Sequence, residues 1–178
     1  TPVVRAIADR YGAPVVMRGY KKSDQTGNVG DEATMLARTG LAVHVGDRKS
    51  NIILLNKQKD KTPIVMDDGL QNPSIKKDVS IVVFDQGLGY GNGLMLPAGP
   101  LRVPKRMARN ADAIIVIKNA KPKKKFDLPA GVPVFDAKNQ TVSPYDEDEK
   151  LVAFAGIGYP GKFFAALGNV VARRAFAD

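Results

Sequence analysis

Two adjacent carboxylates at the end of a short apolar run carry the clearest chemistry in this chain. In Met66-Asp67-Asp68-Gly69-Leu70-Gln71, residues 63–66 read as a strand that delivers Asp67 and Asp68 to its C-terminal end. Open α/β sheets place their ligands at that end. Acids there offer hard oxygen ligands for Mg²⁺ on nucleotide phosphates, directly or through water. A strand-end Asp that caps the following turn is the plainer reading, and it accounts for one of the pair.

Other residues add to this set. Gly30-Asp31-Glu32 puts two acids at a helix start, where the macrodipole favours them and where a plain capping role is the ordinary explanation. Gly87-Leu88-Gly89-Tyr90-Gly91-Asn92-Gly93 follows a strand ending at Asp85, and alternate glycines permit positive φ and close approach to a ligand. A flexible surface loop has the same composition. Residues 96–101 then form a Pro-rigidified turn that presents Arg102, whose planar fork suits phosphate. His44, the only histidine, lies in the apolar run 41–45 and reads as strand packing.

A second glycine-rich stretch argues less well. Gly156-Ile157-Gly158-Tyr159-Pro160-Gly161 matches G-x-G-x-x-G, and residues 156–162 match the opening of a P-loop, G-x-x-x-x-G-K. Phe163 stands where a Ser or Thr hydroxyl would meet magnesium, and Pro160 removes a backbone N–H from the would-be phosphate cradle. A tight strand-to-helix turn is the better reading.

Short apolar runs alternate with amphipathic stretches, the pattern of parallel α/β architecture. Helices are expected over residues 2–11, 31–38, 49–56, 101–109 and 161–174. Strands are expected over 14–17, 41–45, 62–66, 79–85, 113–117 and 151–155, with a short one near Val134. The Lys/Pro-rich stretch 119–129 breaks the pattern and divides a core lobe, 1–118, from a linker and incomplete second lobe, 119–178. A helix at residue 1 with no strand before it suggests a segment cut from something longer.

The 178 residues are 44% apolar and 25% charged, ordinary globular usage with room for one sizeable core. With no cysteine there are no disulfides or thiolate metal sites. No apolar run reaches the ~20 residues that cross a bilayer, so any membrane association is expected to be peripheral. Net charge is +9, and residues 102–125 hold nine Lys/Arg against Asp112 alone. Such a strip suits an anionic partner, although a solvated lysine-rich face looks the same. A nucleic-acid-binding module is the alternative from another class; it lacks interleaved aromatics and leaves the paired acids unexplained. Another P-loop-type NTPase is the nearer alternative, because metal-binding acids do not name the acceptor.

In order and spacing, the segments Arg18-Gly19-Tyr20, Val29-Gly30-Asp31-Glu32, Met66 to Pro73, Phe84-Asp85, Gly89 to Gly93, Leu96 to Arg102 and Phe154 to Gly158 with Phe163-Phe164 resemble the tetraacyldisaccharide 4'-kinase family. The resemblance runs from end to end of the chain. It implies a P-loop-NTPase-like parallel sheet with helices on both faces, plus part of a smaller α/β lobe. It also implies ATP and Mg²⁺ as cofactors, and phosphorylation of the 4'-hydroxyl of a tetraacyldisaccharide 1-phosphate in lipid A biosynthesis. Asp31 would be the base, with Glu32 beside it and Arg102 near the phosphates. Thr1 and Asp67 would hold the metal, and Thr1, Asp67, Asp68 and Gln71 would bind the nucleotide. The family's Gly-rich loop and lysine would precede Thr1, so the segment alone is expected to be inactive. Implied partners are the lipid disaccharide and the anionic cytoplasmic face of the Gram-negative inner membrane, with no nucleic acid. Where the family usually has Leu-Arg-Glu-Pro, this chain has Leu101-Arg102-Val103-Pro104.

Overall fold

The computed structural model describes residues 2–18, 30–57, 61–118, 127–140, 145–146, 148–157 and 160–176. Two compact units emerge, Thr1–Lys138 and Asn139–Asp178. The first extends past the 119–129 stretch because a strand at 134–137 pairs back into it.

Helix α1 (Pro2–Tyr11) starts on a proline, whose missing N–H falls among donors that a helix start leaves unpaired anyway. It ends at Gly12, which takes the left-handed φ of +60° that a side chain would resist. Strand β1 (Val15–Met17) follows and is buried throughout. Helix α2 (Asp31–Arg38) carries acids in its first turn and a base in its last, both matched to the macrodipole. Its Ala33 and Leu36, one turn apart, face inward. Strand β2 (Val43–Val45) leads to α3 (Arg48–Asn56), whose N-cap Asp47 accepts a hydrogen bond from the Ser50 amide at 2.8 Å. Strand β3 (Val65–Met66) completes a parallel sheet in the order β2-β1-β3. Ala8, Ala13, Val15, Met17, Ala33 and Leu36 form the core, flanked by Val4, Leu41, Val43 and Val65. Leu36 is fully buried, so its truncation to Ala costs about 2–5 kcal/mol.

A second parallel sheet in this unit has the order β4-β5-β6, from β4 (Ile81–Asp85), β5 (Ala113–Ile117) and β6 (Val134–Ala137). Its core gathers Phe84, Ala108, Ile114 and Val116, with Tyr90 and Leu128 packed against it. In the other unit, β7 (Leu151–Ala155) pairs in parallel with β8 (Val170–Ala175). Helix α4 (Pro160–Ala166) lies between them in sequence and buries Phe164 against Ala153 and Ala155. The opposite face of this pair leaves Val152 and Phe154 about 70% exposed. The mixed α/β class and the parallel sheets agree with the sequence expectation.

Two helices differ from it. The stretch 101–109 is not an α-helix: Leu101 bridges to Met95, and only Lys105–Asn110 coil, as a 3₁₀ helix. Pro104 is the reason, since it lacks an N–H and pushes Val103 out of the helical region. The stretch 161–174 splits into α4 and β8. Gly168-Asn169 interrupts the helix, and the β-branched pair Val170-Val171 then finds a strand partner in β7.

Candidate active site

Because β1, β2 and β3 are parallel, their C-terminal ends share one edge of the sheet. Arg18 follows β1, Gly46 to Arg48 follow β2, and Asp67-Asp68 follow β3. The Asp67 amide donates to the Val16 carbonyl at 3.1 Å, carrying the ladder one step beyond β3 and fixing where this carboxylate emerges.

Asp67 is half-buried, and burial raises its carboxyl above the ordinary 3.8. The Asp68 and Glu32 carboxylates push the same way. The Asp67 carboxylate accepts from the Asp68 amide at 3.0 Å. Asp68 holds a left-handed φ of +53°, a conformation Asp tolerates better than most residues and one that recurs at functional sites. That turn aims Asp68 at Arg102, with which it forms an ion pair. A carboxylate whose own site disfavours its charge gains from a cation, and neighbouring acids sharpen that demand. Among the described residues no group of three or more His, Cys, Asp or Glu forms a ready metal cage. The donor set that is present, Asp67 and Asp68, offers the one or two carboxylates that magnesium takes alongside water and phosphate oxygens.

The residues expected at the site are thus brought together in part. Asp67, Asp68 and Arg102 are brought together, Gln71 lines an adjoining cleft, and Glu32 lies near enough to add its charge to the field at Asp67. Asp31 stands exposed in the first turn of α2 next to Glu32. Thr1 lies outside the described residues, as do residues 19–29 and 121–125 of the quoted segments.

The cleft itself went unnoticed in the sequence. It measures about 470 Å³ and is lined by Arg18, Gly46, Asp47, Arg48, Lys49 and residues 71–74. Arg48 donates from Nη2 to the Asp67 carbonyl at 2.6 Å, bracing the backbone of the acid pair. Its Nε and the Asn51 Nδ2 are buried with no acceptor among the described residues. Buried donors without partners are costly. The signal available in the sequence was Asp47-Arg48-Lys49 at a strand end, a cap followed by two cations on the edge that carries Asp67. On the far side, Lys77 Nζ donates to the Asn72 carbonyl at 2.6 Å and pins the turn bearing Gln71.

The glycine-rich loop after β4 behaves as its composition predicts. Gly89, Gly91 and Gly93 all take left-handed backbone, with φ of +52°, +61° and +80°. A Cβ on Gly91 would strike the Pro100 ring. Tyr90 tucks under the loop, edge-on to Phe84 at 5.0 Å and beneath Lys105 Nζ at 5.2 Å. The second glycine-rich stretch has no such features: neither Gly156 nor Gly161 takes left-handed backbone, and α4 is seven residues long. Its Gly158 and Tyr159, and the Lys162 side chain, lie outside the described set.

A family model described as tetraacyldisaccharide-1-P 4'-kinase matches residues 1–178. A tetraacyldisaccharide 4'-kinase from Methylobacterium nodulans is 41% identical over 161 residues, covering 84% of this chain and 48% of that protein. The one from Rhodospirillum rubrum is 42% identical over 166 residues, 85% of this chain and 49% of that protein. The Methylorubrum populi relative is 38% identical over 183 residues, 98% and 55% respectively. The chain therefore spans about half the length of the curated relatives it matches. In fold it is similar to the "apo" form crystal structure of LpxK from Aquifex aeolicus in complex with ATP, with a TM-score of 0.70 at 24% identity. That match covers 99% of this chain and 66% of the other. By its sequence along its whole extent, this chain belongs to the tetraacyldisaccharide 4'-kinase family.

Proposed function

We propose that the full-length gene product transfers the γ-phosphoryl group of ATP to the 4'-hydroxyl of a tetraacyldisaccharide 1-phosphate. The observation that carries this reading is the convergence of Asp67, the Asp68–Arg102 pair and the cationic cleft on one edge of a parallel sheet. Phosphoryl transfer asks for positioning and charge neutralisation rather than covalent chemistry. Asp67, with Thr1, would hold magnesium, which when bound neutralises the β- and γ-phosphates. Arg102 would turn from Asp68 toward phosphate oxygens, and Gln71 would orient the nucleotide. Asp31, exposed and next to Glu32, would accept the 4'-hydroxyl proton as the O–P bond forms and the bond to ADP breaks. Arg18, Arg48 and Lys49 would receive an anionic group of the substrate.

The test is ATP-dependent transfer by the full-length product to the disaccharide 1-phosphate, with the product's phosphate located by mass spectrometry. Incorporation at the 4' position is expected. ATP hydrolysis without transfer would instead favour a different NTPase.

We further propose a peripheral seat on the cytoplasmic face of the Gram-negative inner membrane. Among the described residues no helix is long and apolar enough to cross a membrane. Lys105, Arg106 and Arg109 are basic residues of the strip, and each such residue near an anionic surface contributes about 1 kcal/mol. Binding to anionic vesicles, absent on neutral ones and fading with salt, is expected in a flotation assay. Tight sequence-selective RNA binding would point elsewhere.

A further inference from the structure

The loop that carries Arg102 is held in an unusual way. Leu88, Leu94, Met95 and Leu96 are each about half or more exposed, so beyond the anchor that Tyr90 makes on Phe84, apolar burial does little to hold residues 91–101 in place. Polar bonds take over. Leu96 and Leu101 are joined by an amide-to-carbonyl bond at 2.9 Å, and the Leu101 amide donates to the Leu94 carbonyl at 3.1 Å. These two bonds set the register from which the chain continues into Arg102.

Asn92 sits at the centre of this arrangement. Its Nδ2 donates to the Ala98 carbonyl at 2.7 Å, and its Oδ1 accepts from the Leu94 amide at 3.0 Å. One side chain therefore ties the outgoing limb of the loop to the returning one. The fit leaves no slack: a Cβ on Gly99 would collide with both Asn92 Oδ1 and the Leu94 carbonyl oxygen. An exposed loop with a single apolar anchor is ordinarily among the less stable parts of a fold. Here a two-point amide clasp adds order that burial does not, in the segment that leads into Arg102 and its ion pair with Asp68.

We infer that Asn92 is a positioning residue for the phosphate-facing arginine, acting on the reaction through Arg102 and not by touching substrate. The inference rests on the proposed kinase reading only for its kinetic half. Asn92→Ala removes both bonds, whereas Asn92→Asp keeps the acceptor for Leu94 and loses the donor to Ala98.

The experiment uses the full-length product and two readouts. In nucleotide-free protein, ¹⁵N relaxation at the Arg102 Nε reports side-chain order. Asn92→Ala is expected to lower it nearly as far as Asp68→Ala does, with Asn92→Asp in between and melting temperature little changed. In the transfer assay, Asn92→Ala is expected to lower kcat/KM for ATP by about tenfold. Adding it to Arg102→Ala should bring no further loss, since its route is already cut. An unchanged Arg102 signal in Asn92→Ala would overturn the inference, and so would full additivity with Arg102→Ala. If the wild-type protein transferred no phosphate to the disaccharide, the kinase reading would fail alone. The relaxation measurement would still decide the role of Asn92.

Discussion

The ends of β3 and β7 make an instructive pair. Both strands run into turns that look, as text, like places where a phosphate could sit. Glycines crowd the sequence after β7, yet what the described residues show there is α4 packing Phe164 on Ala153 and Ala155. The end of β3 has one glycine, Gly69, and two acids. There the backbone is braced by Arg48, one acid is half-buried, and the other is paired with Arg102. Glycine spacing alone reports a tight turn. A site needs charge that is placed, partly desolvated and answered by neighbours.

The sharpest way to break that contrast is to remove the acids. Asp67→Ala in the full-length product is expected to lower turnover by about 10³–10⁵-fold, because the several kcal/mol of charge stabilisation from the metal proposed to sit there would go with it. Far-UV circular dichroism should stay close to wild type. Asp31→Asn is expected to cost about 10²–10⁴-fold in kcat, the usual worth of a positioned general base. Wild-type turnover in either variant would remove that residue from the site.

A subtler effect tests the burial of Asp67 directly. Its folded-state carboxyl titrates above the ordinary 3.8, so between those two values the folded chain binds more protons than the unfolded one. Stability contributed by this group therefore falls as pH rises through that window, and the loss is complete at neutral pH. Asp67→Asn should raise the melting temperature of metal-free protein at pH 7, and the gain should vanish below the ordinary carboxylate range. A gain that persisted at low pH would mean that something other than ionisation is at work.

The smallest effect belongs to the other strand. Lys162→Ala deletes the lysine of the P-loop-like match and is expected to leave ATP affinity within about twofold of wild type, by isothermal titration. A large loss would restore the loop after β7 as a phosphate site.

Much of this could be read in the chain before any fold was seen. The strand before Asp67, the acids opening α2 and the left-handed glycines after β4 all follow from local rules, since each is set by residues within a turn of one another. Failures came where a distant partner decided. The stretch 170–175 has enough apolar and cationic character to extend a helix, yet β7 draws it into a sheet. The stretch 101–109 departs for a local reason: Pro104 supplies no N–H and disfavours helical backbone at Val103. Arg48 was missed because its partner is a backbone carbonyl nineteen residues away, which leaves no mark in side-chain spacing.

The parallel order β2-β1-β3 also says something about time. Val15 and Val16 are fully buried, yet their partners are Val43 and His44 on one side and Val65 and Met66 on the other. No hairpin can shelter this strand early, because parallel neighbours arrive only after long crossovers. At about 5–20 residues per second on the ribosome, several seconds pass before β3 can be made after β1. For that interval the most buried strand of the sheet is an open edge. α1, adjacent in sequence and amphipathic, packs onto that core through Ala8 and Val4, with α2 and β2 following before β3 is made.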